Sequence, residues 1–184
     1  MYLKKEKDRS TPLLIVVVIF FTIGLVIGTI VFFHMPKDII NDLKLTFDDD
    51  NILKGDITGE IKHNFIAEIM WIILIWVLNN LSFTAPFSVV LVGVRGVIVS
   101  FSTTFILYSG NNIKWILGSI IPQMLIAIPI MTIFTVLGIK LAAEKKAGNR
   151  AEASFFILGA VFVIITALAS LLEVGAGRLF ISFL

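Results

Sequence analysis

The sequence predicts an all-α fold: a polytopic membrane helix bundle with five transmembrane helices. Three observations carry that expectation. Of 184 residues, 58% are hydrophobic and only 15% are charged, whereas soluble domains keep roughly a quarter of their residues charged. Mean hydropathy is +1.00. Five stretches approach the roughly 20 apolar residues that a helix needs to cross hydrocarbon. At 20.4 kDa the chain reads as a single integral membrane domain, residues 1–184, without room for a separate soluble module. It has no cysteine, which excludes disulfides, thiolate metal sites and cysteine nucleophiles. A net charge of +2 is too small for a nucleic-acid binder.

The first span covers residues 13–33 and carries no charge. It follows a basic N-tail, as a signal peptide would, but it is long, ends in Phe32-Phe33-His34 and lacks a small-x-small cleavage site, so it reads as a retained helix. Gly24 and Gly28 within it make a small-xxx-small face that another helix can approach closely. Residues 34–64 read as an outer loop. In it Pro36-Lys37-Asp38 precedes Ile39, Ile40, Leu43 and Phe47, a helical spacing that predicts a short amphipathic surface helix. Asp48 to Asn51 ends it, and Asp56 or Thr58 can cap the next helix.

The second span is expected at 65–81, with Glu68 in its first turns and Asn79-Asn80 near its end. The third runs over 86–108, opened by Pro86, a residue suited to a helix's first turn. Gly110-Asn111-Asn112 turns the chain into the fourth span, 113–139, which Pro122 and Pro129 are expected to break or kink. The fifth covers 154–182. Lys4, Lys5, Lys7 and Arg9 precede the first span, and Lys140, Lys145, Lys146 and Arg150 follow the fourth. Five spans put these eight cations on one side, the cytoplasm by the positive-inside rule. The N-terminus is therefore expected inside and the C-terminus outside.

Chemistry-bearing motifs are scarce. The acidic loop resembles a calcium loop only in part: starting at Asp49 it would place Asn51 and Glu60 correctly, but Leu53 occupies a ligand position and Lys54 replaces the obligatory glycine. His34 and His63 flank the loop without further ligands at zinc-site spacing. No Gly-x-Ser-x-Gly elbow, glycine-rich phosphate loop or His-Glu-x-x-His occurs. Enzyme activity, metal and cofactor are all not expected. Span hydroxyls such as Thr22, Ser100, Thr103, Thr104, Thr135 and Thr166 read as interhelical hydrogen-bond partners.

Glu68, Arg95, Gln123 and Glu173 remain as polar residues within spans. Buried charge in a bilayer is costly, so such residues face protein or water. Either they line a conduction or coupling path, or Glu68 sits near an interface while Arg95 and Glu173 fix helix packing. Depth bears on the pairing. Arg95 lies roughly 14 Å from the cytoplasmic end of its helix and Glu173 roughly 28 Å from the same face, which argues against a direct pair. Gln123, about 15 Å down from the outer face, meets Arg95 near the midplane. Pro122 and Pro129 lack N–H groups and free the carbonyls of Gly118 and Leu125. Arg95 is therefore expected to pin the broken fourth helix through Gln123 and the Leu125 carbonyl.

The order of these motifs resembles the stage II sporulation protein M family over nearly the whole chain. Pro122-Gln123 with Pro129 is similar to the family's Pro-Gln or Pro-His before a second proline. Val92-Gly93-Val94-Arg95-Gly96 through Phe101 is similar to its cation-glycine-hydrophobic run. Asn64, Trp76 and Pro86 match its second helix and the proline after it, residues 20–28 its first span, and Ala169-Ser170-Leu171-Leu172-Glu173 its late glutamate. Ala127 stands where wider relatives often carry glutamate, and Met124 where they carry glycine or, in the sporulation branch, asparagine. The resemblance implies a non-catalytic membrane scaffold that anchors the cell-wall hydrolases SpoIID and SpoIIP at the engulfing septal membrane. It implies no cofactor. The acidic outer loop would suit a basic partner surface, and homo-oligomerisation stays open. The rival class is a small permease or the membrane subunit of an ABC-type exporter, to which a broken fourth helix would also suit.

Topology is directly testable. A reporter fused at Gly148 should be cytoplasmic and one fused after Leu184 external; a cytoplasmic C-terminus would mean that the spans are miscounted.

Overall fold

The computed structural model describes residues 10–47, 57–80, 83–109, 121–146 and 152–183. All regular structure among them is helical. The elements are α1 (Ser10–Phe33), α2 (Lys37–Phe47), α3 (Ile57–Asn80), α4 (Phe87–Tyr108), α5 (Ile121–Leu125), α6 (Ala127–Lys146) and α7 (Glu152–Phe183). Five helices are long and apolar enough to cross a membrane: Thr11–Phe33, Ile61–Asn80, Phe87–Tyr108, Ala127–Lys145 and Ser154–Gly175.

Each crossing helix turns a narrow stripe inward and a broad apolar face outward. On α3 the inward positions are Ile61, Phe65, Glu68, Ile72, Ile75 and Asn79, alternating steps of four and three like the seam of a coiled coil. On α7 they are Phe155, Gly159, Phe162, Thr166, Ala169, Ser170 and Glu173. Val17, Ile72, Ile75, Val92, Phe134 and Phe162 belong to one core to which all five crossing helices contribute. The outward residues, such as Ile15, Val26, Met70, Val77, Ile157 and Leu172, are exposed. In water that surface would drive aggregation; against acyl chains it is the required solvent match.

Hydrocarbon supplies no hydrophobic drive between helices, so close packing must hold them. The α1–α4 contact meets this with glycine. A Cβ on Gly24 would collide with the Gly93 carbonyl, and one on Gly28 with the Val97 carbonyl. From the other side, a Cβ on Gly96 would come 2.5 Å from the Phe21 carbonyl. Where the backbones meet, Thr29 Oγ1 and Ser100 Oγ share a hydrogen bond of 2.7 Å.

Two boundaries differ from the sequence expectation. The second crossing helix starts at Ile57, not at 65, because Ile57, Ile61 and Phe65 already carry the helical apolar spacing through the polar residues Glu60 to His63. The polar segment expected at 34–64 therefore ends before residue 57. The fourth span is displaced: its crossing part is Ala127–Lys145, and the helix is interrupted at Ile126. Pro122 is the second residue of α5 and Pro129 the third of α6. Each proline thus sits in a first turn, where its missing N–H costs nothing, and the chain breaks between them. The turn expected at Gly110-Asn111-Asn112, Gly118 and most of the calcium-like loop lie outside the described residues.

The amphipathic α2 falls as expected. Ile40 is buried and Leu43 and Met35 pack with it against Phe32 and Phe105. Phe32 makes edge-on ring contacts with Phe101 and Tyr108 at 5.7 and 5.5 Å. Lys44 Nζ lies 5.1 Å over the Tyr108 ring, a cation–π contact that fastens α2 across the ends of α1 and α4.

The glycine seam predicts a sharp contrast. Gly24→Val or Gly28→Val should cost about 1–3 kcal/mol or more through overpacking, seen as a lowered unfolding temperature in detergent. Gly59 and Gly175 have open space around the Cβ position, so alanine there should be neutral or stabilising by up to about 1 kcal/mol.

Candidate functional site

The charged residues of the spans converge. Glu68 and Arg95 sit on the inward stripes of α3 and α4, and Glu173 on that of α7; all three are buried. Arg95 Nη2 donates to Glu68 Oε1, with the two side chains only 8% and 9% exposed. The Arg95 guanidinium also lies 5.6 Å from the centre of the Trp71 ring. Trp71 is three residues after Glu68, so one face of α3 offers the guanidinium both an anion and a π surface. Glu173 lies within electrostatic reach of Glu68 and Arg95. Its Oε1 has no hydrogen-bond partner among the described residues.

This adds a partner for Arg95 that depth counting missed; the expected contact with Gln123 falls on a side chain outside the described residues. Arg95 engages Glu68, the residue assigned to an interface. The error follows from the second span's boundary: with α3 beginning at Ile57, Glu68 stands in its fourth turn. Counted from the short connection between α3 and α4, Glu68 is roughly 18 Å and Arg95 roughly 12 Å along their helices, a gap an arginine side chain closes. The side chains of Gln123 and Pro122 lie outside the described residues. The Leu125 side chain is exposed, on the short α5, which packs against α6 and α7. Glu173, set aside on depth, is the third member of the charged group.

A second polar group closes the end of these helices nearest the α3–α4 connection. Asn79 is 1% exposed, and Ser88 Oγ lies 3.1 Å from Asn79 Oδ1 and 2.6 Å from the Ala85 carbonyl. Gly138 of α6 presses on the Asn79 amide so closely that a Cβ would collide with it. Lys145 Nζ donates to Asn80 Oδ1 at 3.3 Å. One turn away, Trp76 Nε1 donates to the Phe155 carbonyl at 3.3 Å while Gly159 lies against the indole. α3 is thus tied to α4, α6 and α7 at one level.

Of the hydroxyls expected to bridge helices, only Ser100 does so among those with described bonds, to Thr29. Thr22, Thr103, Thr104, Thr135 and Thr166 each donate to a carbonyl four residues back on their own helix, which satisfies the hydroxyl without a partner helix. His34 is exposed and its Nδ1 lies 2.9 Å from the Ile30 carbonyl; His63 is exposed. The roles of Trp71 and Ser88 were missed by sequence reading. The four-three stripe on α3 was the available signal, since it puts Glu68 in register with Ile72, Ile75 and Asn79.

Arg95→Ala should leave Glu68 buried without its counter-ion, at a cost of about 3–5 kcal/mol, read as loss of monodisperse folded protein in detergent. Arg95→Lys should recover only part, lacking the planar guanidinium that pairs and stacks. A Glu68→Gln/Arg95→Gln double variant should be more stable than Arg95→Ala, since it strands no charge.

The family model described as Stage II sporulation protein M matches residues 15–176, a range that contains the α1–α4 glycine seam, the charged group and the Asn79 group. No curated protein and no solved structure matches the chain. With most of its length covered, the chain belongs to the stage II sporulation protein M family.

Proposed function

We propose that the protein is a non-catalytic membrane scaffold that anchors and localises the peptidoglycan hydrolases SpoIID and SpoIIP at the septal membrane, with its N-terminus cytoplasmic and α2 on the outer face. The observation that carries this reading is α2. Ile40 and Leu43 are spent on the Phe32–Phe105 cluster, while Lys37, Asp38, Ile39, Asn41 and Asp42 are exposed. A polar helix is therefore held at a fixed place on the end of a packed bundle, which is what a docking platform requires and what a catalytic site does not. Family membership supports the same reading.

The outer segment is the natural place for partner contact. Replacing residues 36–56 with a glycine-serine linker, and so leaving α3 intact, should abolish recruitment of the hydrolases without preventing insertion. A milder variant, Lys37→Ala/Asp38→Ala/Asn41→Ala, keeps Ile40 and Leu43 in place and should weaken recruitment while the unfolding temperature is unchanged. Pull-down in detergent from sporulating cells is the measurement. Normal recruitment by the linker variant would move the interface into the membrane. Since Gly24 and Gly28 already face α4, it would then involve the lipid-facing sides of the bundle. Capture of an ATPase in place of hydrolases would favour an exporter subunit.

A further inference from the structure

The charged group holds two carboxylates and one guanidinium, and the guanidinium is committed. Arg95 donates to Glu68 and stacks over Trp71, which leaves Glu173 as the unbalanced member. It is only 5% exposed, and its Oε1 has no partner among the described residues. The neighbouring hydroxyls on its own stripe do not serve it. Ser170 Oγ donates to the Thr166 carbonyl at 3.0 Å, and Thr166 Oγ1 to the Phe162 carbonyl at 2.7 Å. Among the elements packed against α7, α3 contributes Glu68, of the same sign. The α5 segment contains no titratable residue, and α6 none before Lys140, which lies toward the Asn79 end of that helix.

An uncompensated carboxylate inside a bilayer-spanning bundle is strongly unfavourable even after relaxation. Something positive must therefore share the site. We propose that Glu173 is an intramembrane cation-binding carboxyl whose occupant is a single monovalent cation, a proton or a sodium ion. Charge selects the valence: with Glu68 neutralised by Arg95, one negative charge remains, and a divalent ion would reverse the imbalance. Burial selects the size, because a partner's lysine or arginine would have to displace helix packing to reach a side chain this enclosed. A proton needs one oxygen, whereas a hard metal cation gathers several oxygen ligands. The Ser170 hydroxyl, buried three residues before Glu173 on the same face of α7, donates to the Thr166 carbonyl and keeps its own lone pairs as a further acceptor. The site is independent of the scaffold role: it would exist whichever partner binds outside.

The test uses the full-length protein in detergent or nanodiscs and the hydrophobic reagent dicyclohexylcarbodiimide. A protonated carboxyl adds across the reagent's C=N bond to an O-acylisourea, which rearranges to a stable N-acylurea; nothing leaves, and the peptide gains the mass of the whole reagent. Mass spectrometry at neutral pH should find the adduct on Glu173 and not on Glu68, retained in Glu173→Asp, absent in Glu173→Gln, and declining as pH is raised. Equal labelling in sodium and potassium chloride identifies the proton as occupant, and suppression by sodium alone identifies the metal ion. A second measurement guards against a reagent that cannot enter. The unfolding temperature of the wild-type protein should fall with rising pH, or rise with sodium over potassium, while that of Glu173→Gln does neither. Absence of both the adduct and any difference in pH or salt response between wild type and Glu173→Gln would overturn the proposal.

Discussion

The architecture depends on how near two backbones can come when water supplies no force to hold them together. In hydrocarbon the gain from association is packing and hydrogen bonding, and both fall off steeply with distance. α1 and α4 solve this with Gly24, Gly28, Gly93 and Gly96, whose missing side chains let carbonyls and Cα atoms touch. The Thr29–Ser100 hydrogen bond is a consequence of that proximity, since two short hydroxyl side chains meet only where the backbones already do. α2 inherits its position in turn, because its floor of Phe32 and Phe105 comes one ring from each of these two helices.

The remaining helices are joined by polar contacts at two levels. Toward one end, Asn79, Ser88, Trp76 and Lys145 tie α3 to α4, α6 and α7; deeper in, Arg95 joins α4 to α3 with Glu173 of α7 beside them. α6 carries no charge through its middle and contributes Phe134 and Met131 to the core, with Gly138 leaving space for the Asn79 amide. α3, α4 and α7 thus carry polar ties and apolar filling on the same inward stripes, whereas α6 contributes chiefly filling.

How much of this was legible in the sequence depended on the kind of signal. The span without charge, α1, announces itself by composition, and its limits fall within three residues of the expected ones. α2 was legible because amphipathic spacing survives in a short polar segment. The start of α3 was not, since hydropathy windows discard the Glu60–His63 turn even though Ile57, Ile61 and Phe65 continue the stripe. That misplaced boundary then propagated: it moved Glu68 toward the interface and hid it as a partner for Arg95. Depth counting argued against a direct Arg95–Glu173 pair, and Arg95 does pair with Glu68 instead; what it left out is that Glu173 still lies within electrostatic reach of both. Tilt is a property of packing and is absent from any one segment's sequence.

The length of α7 has a consequence of its own. Its 32 residues extend roughly 48 Å, against a hydrocarbon core of about 30 Å. The excess can be absorbed only by inclination or by projection beyond the lipid. The helix is gripped along its inward stripe, from the Trp76–Phe155 contact through Phe162 and Thr166 to Glu173, so its inclination is that of the bundle and the surplus falls toward its C-terminal end. Glu173 therefore stands near the end of the buried stripe of a helix that continues ten residues further, to Phe183, so the carboxyl is set back inside the length of the helix rather than presented at its tip.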